Sequence, residues 1–310
     1  MPRLTVLVPV HSAERTLPAA LSSTLRHLPR DAGIAVLDDG SLDRSAEVAR
    51  AFDDPRLTVR TRENGGVASA LNELLETTDS EFVARMDADD VVLPGRFRRQ
   101  LRALTGRDRG PGGPPRPDAV FTTVVQFGDG ARPVPRPSRI APEDFGLHLL
   151  LTNPVAHPTL MARRSALERV GGYREVPTED YDLWLRLAAG GARLERQALP
   201  GLAYRMHPGQ ITASATWRRA SWTDPTISAA FAELSELLLG RSARRITTLC
   251  VNDSLGPTEK RAEFARFVAL VTTAIDRRPA ASRRALRRKL DERSRWFEGR
   301  LQEEPSRAVS

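Results

Sequence analysis

The sequence predicts an α/β fold, with a mostly parallel sheet flanked by helices and a helical C-terminal appendage. Two patterns predict this class. Over the first half of the chain, short apolar runs alternate with stretches of helical periodicity, a rhythm typical of parallel sheets with helices on both faces. After Gln210, the remaining periodic stretches are all helical.

The individual elements follow from the apolar runs and from the residues that end them. Leu4–Val8 is a short apolar run bounded by Pro9, which predicts a buried strand. Further strands are predicted at residues 34–37, 57–59, 82–86 and 119–127, and one is entered within 157–161. Helices are predicted at residues 13–28, 43–52, 67–76, 94–104, 143–151, 180–189, 227–239, 259–275 and 282–301.

The predicted elements divide the chain into two regions. We predict a sheet domain at residues 1–215 and a helical, basic region at residues 216–310. Stretches rich in proline and glycine at residues 106–117 and 128–137 predict loops within the sheet domain.

Composition limits the classes of protein that fit. The chain has 310 residues, of which 40% are hydrophobic, and a net charge of +8. Its single cysteine, Cys250, excludes an intramolecular disulfide and a thiolate metal site. The sequence has neither a signal-peptide pattern nor about 18 consecutive apolar residues, so we expect a cytoplasmic protein. Arginines cluster between Arg277 and Lys289, which leaves open a peripheral contact with an anionic membrane at the inner face.

Two aspartate clusters are the strongest indication of function. Asp38-Asp39-Gly40-Ser41 follows one predicted strand, and Asp87-Ala88-Asp89-Asp90 follows another. Ligands of α/β sheets bind beyond the carboxyl ends of the strands, so these carboxylates are expected to meet there. Such crowding of like charge is unfavourable without a cation, and oxygen ligands suit Mg²⁺ or Mn²⁺. The sequence therefore predicts a divalent-metal site for a phosphorylated substrate, with the later pair Glu179-Asp180 left for chemistry.

Residues 3–215 carry these clusters within an ordered series of motifs. The series comprises residues 7–11 (LVPVH), 38–43 (DDGSLD), 64–68 (NGGVA), 70–72 (ALN), 84–90 (ARMDADD), 153–154 (NP), 157–158 (HP), 171–173 (GGY), 178–184 (TEDYDLW) and 204–209 (YRMHPG). In this series the sequence closely resembles the inverting family 2 glycosyltransferases, which have the GT-A, Rossmann-like fold. His11-Ser12 departs from the family, which more often has an aromatic residue followed by Asn.

The resemblance implies that a sugar passes from a nucleotide-sugar donor to a hydroxyl acceptor by a single in-line displacement. A UDP-sugar is the expected donor, and dTDP- and GDP-sugars stay open. The resemblance also implies that Asp39 accepts the uracil N–H, that Asp89 binds Mn²⁺ or Mg²⁺, and that Asp180 is the general base. Asp87 would contact the ribose or a metal-bound water. The donor-binding residues that it implies are Pro9, Val10, His11, Glu14, Asp38, Asp39, Asn64, Gly65, Arg85, Asp87 and Ala88, and the implied metal ligands are Asp89 and His207.

Two other functions are weighed against this one. A sugar nucleotidyltransferase shares the sheet and the metal, but the turn after its first strand normally carries glycines and a basic residue, and Pro9–Glu14 has neither. A non-catalytic basic adaptor for membranes or nucleic acid would have no use for the acidic site. The C-terminal arginines also lack interleaved aromatic residues apart from Trp296, so no nucleic-acid partner is expected. The acceptor, the donated sugar and the oligomeric state stay open.

Overall fold

The sheet has eight strands in the order β3-β2-β1-β4-β7-β6-β8-β5. The computed structural model describes residues 2–106, 115–132, 138–208, 210 and 214–303, so parts of both predicted loops lie outside the described residues. The strands are β1 Leu4–Val10, β2 Ala32–Asp39, β3 Leu57–Arg62, β4 Phe82–Arg85, β5 Val91–Val92, β6 Ala119–Gly128, β7 Met161–Arg163 and β8 Leu194–Met206.

The sheet is mostly parallel, as the sequence predicts. β1 lies between β2 and β4 and runs parallel to both, β3 extends the parallel set, and β6 runs parallel to β8. β7 and β5 are antiparallel to their neighbours. Because β1 to β4 are parallel, their carboxyl ends lie along one edge of the sheet. One aspartate cluster begins with the last two residues of β2, and the other follows β4.

The helices connect the strands and form the C-terminal region. They are α1 Leu17–His27, α2 Ser45–Arg50, α3 Val67–Glu76, α4 Arg96–Thr105, α5 Pro142–Leu151, α6 Arg164–Arg169, α7 Glu179–Ala189, α8 Ala215–Thr223, α9 Pro225–Leu239, α10 Ile246–Cys250, α11 Pro257–Asp276 and α12 Ala280–Glu303. Within the described residues, none of them has both the length and the apolarity that a bilayer-spanning helix needs. The helices α8 to α12 confirm the predicted helical C-terminal appendage.

The chain divides into two compact units. The first, the sheet unit, contains Met1–Pro142, Val155–Glu175 and Gly190–Gln210, and the second, the helical unit, contains Glu143–Pro154, Val176–Ala189 and Ile211–Ser310. The helical unit thus includes α5 and α7 besides the C-terminal helices. The domain boundary after residue 215 stays a prediction.

Each unit has its own apolar core. In the sheet unit, β1 is buried along nearly its whole length, and the side chains of Val6, Val8 and Ile34 pack with those of α1. A strand buried on both faces reads as a continuous apolar run, which is why the sequence revealed it. In the helical unit the core is aromatic: the rings of Phe264 and Phe297 stack with centroids 4.1 Å apart, and Phe267 lies beside them.

The structure has four short elements that were not predicted, β5, α6, α8 and α10. Two further segments differ for reasons that the sequence makes clear. The segment expected to enter a strand at 157–161 begins with a 3₁₀ turn at His157–Thr159, and the strand starts only at Met161. Pro158 favours the turn because it has no N–H to give to a sheet. The 13-residue β8 was not predicted, because Pro200-Gly201 interrupts its apolar pattern; the register against β6 shifts at this point. Gly201 is needed there, since an added Cβ would lie 2.4 Å from the Thr122 hydroxyl oxygen.

Arg96 at the start of α4 is fully buried and ties several segments of the sheet unit together. Its guanidinium donates to the carbonyl oxygens of Arg85 and Pro158, and Gln100 on the same helix bonds to β6 and to the 3₁₀ turn. Burial lowers the pKa of Arg96 to about 10, and the nearby Asp90 opposes that shift. The arginine therefore remains charged at neutral pH.

Replacing this buried charge should cost much of the stability of the sheet unit. Arg96→Ala leaves two buried carbonyl groups without their donor, so we expect the free energy of unfolding to fall by about 2–6 kcal/mol. Arg98→Ala, on the exposed side of the same helix, should change it by no more than about 0.5 kcal/mol. Urea unfolding of both variants measures the difference, and equal losses would contradict the role of Arg96.

Candidate active site

A pocket of about 710 Å³ lies at the carboxyl ends of the strands of the sheet unit. It brings together most of the residues that the sequence predicted for the donor and the metal: Pro9, Val10, His11, Glu14, Asp39, Arg85, Asp87, Ala88, Asp89 and His207. The predicted residues Asp38, Asn64 and Gly65 do not line it but bond to residues that do or to their neighbours. The pocket thus joins the ends of β1, β2, β4 and β8.

The loops after β1 and β2 are joined by hydrogen bonds. The backbone N–H groups of Ser12, Ala13 and Glu14 donate to the side-chain oxygens of Ser41, Ser45 and Asp43, at 2.8, 2.8 and 3.0 Å. Ser12 has a φ of 52°, the left-handed region that non-glycine residues seldom enter. These bonds use the N–H groups of the first loop, and α1 begins at Leu17 rather than near Ala13 as predicted.

Asp38 and Ser41 stabilise the contact between these two loops. Asp38 is buried, and its Oδ1 accepts from both the backbone N–H and the hydroxyl of Ser41. The Ser41 hydroxyl oxygen in turn accepts from the backbone of Ser12. Asp38 therefore shapes the pocket through Ser41.

The carboxylate of Asp39 is held by three donors. Its Oδ1 accepts from Arg62 Nε at 2.6 Å and from the Gly65 N–H at 2.9 Å, and its Oδ2 accepts from the Gly66 N–H at 2.8 Å. Arg62 also bonds to Ser69 and pairs with Glu73 on α3. A carboxylate offers about four acceptor positions, so one position on Oδ2 is left for a ligand.

His11 takes the place at the pocket where the resembled family has an aromatic residue. Its Nδ1 lies 2.9 Å from the Asp39 carbonyl oxygen and 3.0 Å from the Asn64 amide nitrogen. Asn64 also donates to that same carbonyl oxygen. The imidazole is thus fixed in orientation with its ring exposed in the pocket.

The second aspartate cluster forms a compact acidic group. Carboxylate oxygens of Asp87, Asp89 and Asp90 lie within 4.8 Å of one another, and His207 Nε2 lies 3.3 Å from Asp89 Oδ2. Burial, and then the charge of Asp87, raises the pKa of Asp89. The imidazole of His207 opposes this shift when it is protonated.

Asp90 is the most strongly perturbed member of the group. Burial, and then the charge of Asp87, raises the pKa of Asp90 to about 8. Its Oδ1 accepts from the Arg205 N–H at 2.8 Å, whereas its Oδ2 is buried and has no hydrogen-bond partner among the described residues. A buried carboxylate oxygen without a partner, beside two further carboxylates, is the donor set that a hard divalent cation fits.

Arg85 connects the acidic group to three other sequence motifs. Its Nη2 lies 2.9 Å from Asp87 Oδ1, and its Nη1 contacts His157. His157 Nε2 lies 3.0 Å from the Tyr173 hydroxyl, and the backbone of Tyr173 bonds at both its N–H and its carbonyl to the side chain of Asn72. Gly172 has a φ of 65°, and a Cβ added there would lie 2.6 Å from Asn72 Oδ1, so both the backbone and the space favour glycine.

Asp180 belongs to the helical unit, in the first turn of α7. Its Oδ2 accepts from Asn153 Nδ2 at 2.8 Å, and its Oδ1 accepts from the Tyr181 N–H at 2.6 Å. Asp182, in the same turn, is fully buried and pairs with Arg186 at 2.7 Å. Asp182 therefore has a structural role, whereas Asp180 is partly exposed.

Three arginines of the sheet unit were missed by the sequence analysis. Arg62 stands beside Asp39 in the register of β2 and β3, so its place at the end of a neighbouring strand could have indicated the pair. Arg15 lines the pocket and is exposed, but nothing in the sequence distinguishes it from other surface arginines. Arg96 lies on a helix with several arginines, and only the packing reveals which one is buried.

Comparison with known proteins places the chain among glycosyltransferases. Residues 5–171 match the family model described as Glycosyl transferase family 2. The succinoglycan biosynthesis protein ExoU of Rhizobium meliloti is 34% identical over 209 residues, which cover 61% of this chain and 57% of ExoU. The amylovoran biosynthesis glycosyltransferase AmsE of Erwinia amylovora is 27% identical over 225 residues, which cover 70% of this chain and 79% of AmsE.

A solved structure confirms the fold. The S. aureus TarS 1–349 crystal structure in complex with UDP-GlcNAc superposes with a TM-score of 0.61 at 17% identity, covering 98% of this chain and 92% of that chain. The predicted GT-A fold with C-terminal helices is therefore confirmed.

The raised pKa of Asp90 should appear in the pH dependence of stability. With chelator present, folded Asp90 holds its proton up to a pKa of about 8, whereas the unfolded chain releases it near 3.8. The folded state thus binds more protons in this interval, so the contribution of Asp90 to the free energy of unfolding should decrease as the pH rises through it. Asp90→Asn keeps the bond from Arg205 but cannot ionise, so its stability should decline less between pH 5 and pH 8. Parallel curves from chemical unfolding of the two proteins would contradict the assignment.

Proposed function

Because the chain belongs to glycosyl transferase family 2, we propose that it transfers a sugar from a UDP-sugar to a hydroxyl acceptor with inversion at the anomeric carbon. The observation that supports this most directly is the pocket in which Asp39 and His11 face the same space as Asp87, Asp89 and His207. One part of it suits a nucleobase, and the other suits a diphosphate accompanied by a cation.

In the proposed donor complex, the uracil lies against Pro9 and His11, and its N–H donates to Asp39 Oδ2. The three donors on Asp39 leave an acceptor position on this oxygen. Cytosine has no imide N–H at this position, so an acceptor here favours uracil. The crystal structure of TarS contains UDP-GlcNAc, which agrees with this choice of base.

For the metal, we propose that Asp89 and His207 are the direct ligands, with Asp87 and Asp90 completing the acidic surroundings. The buried, unpartnered Oδ2 of Asp90 fits such a cation. A bound Mn²⁺ or Mg²⁺ would neutralise negative charge on the diphosphate leaving group. Arg205 holds two of these aspartates in place. Its backbone N–H donates to the Asp90 side chain, and its Nε donates to the Asp89 carbonyl oxygen.

For the acceptor, we propose that Asp180 removes the proton from the attacking hydroxyl. A single displacement needs one base and no enzyme nucleophile, and it inverts configuration. Asn153 orients this carboxylate by its bond to Oδ2. The names of ExoU and AmsE refer to succinoglycan and amylovoran biosynthesis, so we propose that the acceptor is a sugar hydroxyl of a glycan under assembly. The exposed arginines of α12 would hold the protein at an anionic membrane.

A sugar nucleotidyltransferase fits the geometry poorly. Such an enzyme needs free N–H groups in the loop after β1 to bind a triphosphate. Here the N–H groups of Ser12, Ala13 and Glu14 already donate to the loop after β2. The loop therefore has few donors left for phosphate.

Metal binding at neutral pH should release protons. The cation requires ionised carboxylates, whereas Asp90, whose pKa is raised to about 8, holds its proton at neutral pH. We expect Mn²⁺ titrations at pH 7 to show a heat that depends on the ionisation enthalpy of the buffer. Asp90→Asn should release fewer protons, and Asp89→Ala should lose most of the affinity.

The control is Glu14→Gln, because Glu14 lines the same pocket outside the acidic group. This variant should bind Mn²⁺ as the wild type does.

The transfer activity of the wild-type protein should disappear in chelator and return with Mn²⁺ or Mg²⁺. Full turnover in chelator would refute the metal assignment.

Removing the charge of Asp180 should abolish transfer without weakening donor binding. A positioned base contributes roughly 10²–10⁴-fold, so Asp180→Asn should lower kcat by that factor while UDP affinity is retained. Asn153→Ala should cause a smaller loss and shift the acidic limb of the pH profile upward, because the carboxylate loses a donor that favours its charged form.

Glu179→Gln, the same chemical change in the same helical turn, is the matched control, since Asp182 is needed for its ion pair. Initial rates across a series of pH values and UDP calorimetry measure these effects. A larger loss of transfer in Glu179→Gln than in Asp180→Asn would show that the base is misassigned.

A further inference from the structure

The helical unit contains a second cavity, of about 750 Å³, which the proposed reaction does not use. It is enclosed by α9, α10, α11 and the loop at residues 241–245, and we call it the helical cavity. Its volume falls within the range of about 300–1,000 Å³ that is usual for small-molecule sites. Its floor is formed by buried side chains of the aromatic core, including Phe264, Phe267 and Leu249.

Three of the hydroxyl groups that line the helical cavity already use their hydrogen atoms within the protein. The hydroxyls of Ser228, Thr248 and Thr273 all line it, but each donates to a backbone carbonyl oxygen, that of Asp224, Trp222 and Ala269 respectively. A sugar or a peptide would bring polar groups that remain unsatisfied against such a floor, at a cost in free energy. A hydrocarbon chain needs no such partners.

The rim of the helical cavity is cationic. Four arginines line the cavity against a single acidic residue, Glu263. Glu263 pairs with Arg244 at 3.5 Å, and the buried Arg245 donates to the Ser221 carbonyl oxygen. The exposed Arg241 and Arg266 have no ion-pair partner within the described part of the chain. Two charges at the mouth are thus available for an anion.

The wall beside these arginines is fixed in the folded protein. α9 ends at Leu239 and is followed by Gly240, whose φ is 73°. The Ala243 N–H then donates to the Ser235 hydroxyl oxygen at 2.8 Å. The bond from Arg245 to Ser221, at 2.9 Å, holds the other end of the loop. A ligand would therefore meet a cavity that is already formed.

We propose that the helical cavity binds one anionic membrane phospholipid, with an acyl chain on the aromatic floor and the phosphate between Arg241 and Arg266. The apolar floor and the cationic mouth match the two parts of such a lipid in chemistry. The exposed arginines of α12, in the same unit, would attract an anionic surface over a longer range. The helical cavity would then add recognition of a single lipid to that general attraction.

The test uses the full chain and monomeric lysolipids below their micelle concentration, so that no membrane surface is present. By calorimetry, we expect lysophosphatidylglycerol to bind with a stoichiometry of one. Lysophosphatidylcholine should bind at least about 10-fold more weakly. The Arg241→Ala/Arg266→Ala double variant should lose about 10-fold in affinity for the anionic lipid, because two charge-assisted contacts disappear. Ala269→Trp, a change at an exposed position in the lining, should fill the cavity and abolish binding.

Arg284→Ala/Arg288→Ala is the matched control, since these exposed arginines of α12 lie outside the cavity lining and should not affect a monomeric lipid. Equal binding of the two lysolipids, or wild-type binding by Ala269→Trp, would overturn the proposal. Farnesyl phosphate bound more tightly than lysophosphatidylglycerol would identify a prenyl phosphate as the occupant and would also overturn it. If Ala269→Trp does not fold, the arginine double variant decides, because it changes only exposed side chains.

Discussion

The crowding of three carboxyl groups beside one buried arginine is the constraint on which the sheet unit depends. Asp87, Asp89 and Asp90 lie within 4.8 Å of one another, and Arg96 is buried close enough for its charge to act on Asp90. The structure accommodates this charge in two ways: Asp90 keeps its proton to a pKa of about 8, and Arg85 and Arg205 bond to the remaining members or their backbone. The same arrangement suits a cation, which could take over the role of the proton.

The buried arginine also explains why distant parts of the sequence meet here. Arg96 bonds to the backbone at the end of β4 and in the 3₁₀ turn, and Arg85 contacts the imidazole of that same turn. The turn is joined through Tyr173 to Asn72 of α3. Residues from four separate motifs are thus linked by hydrogen bonds to one acidic group. A substitution in any of them would therefore alter the position of side chains in the pocket.

Much of the sheet unit could be predicted from the sequence because its strands are short, buried and regular. α3 was predicted at its observed bounds, and the aspartates at the end of β2 and after β4 were expected at the edge where the structure has them. β8 could not be predicted, because it accepts Pro200-Gly201 only through an irregular register with β6. The protonation of Asp90 was equally hidden, since it depends on burial that no local pattern encodes. Arg62 was missed because its partner lies on a neighbouring strand.

The junction between the loops after β1 and β2 has a consequence for how donor choice can change during evolution. Ser12, Ala13 and Glu14 have their backbone N–H groups bonded to the second loop, so the backbone there cannot be remodelled without breaking several bonds at once. Insertions or deletions in either loop should therefore be rare among functional relatives. New donor preferences would instead arise by exchanging side chains on an unchanged main chain, with position 11 the most accessible, because its imidazole is exposed. The rigidity that holds this part of the pocket in place also limits the ways in which its sequence can diverge.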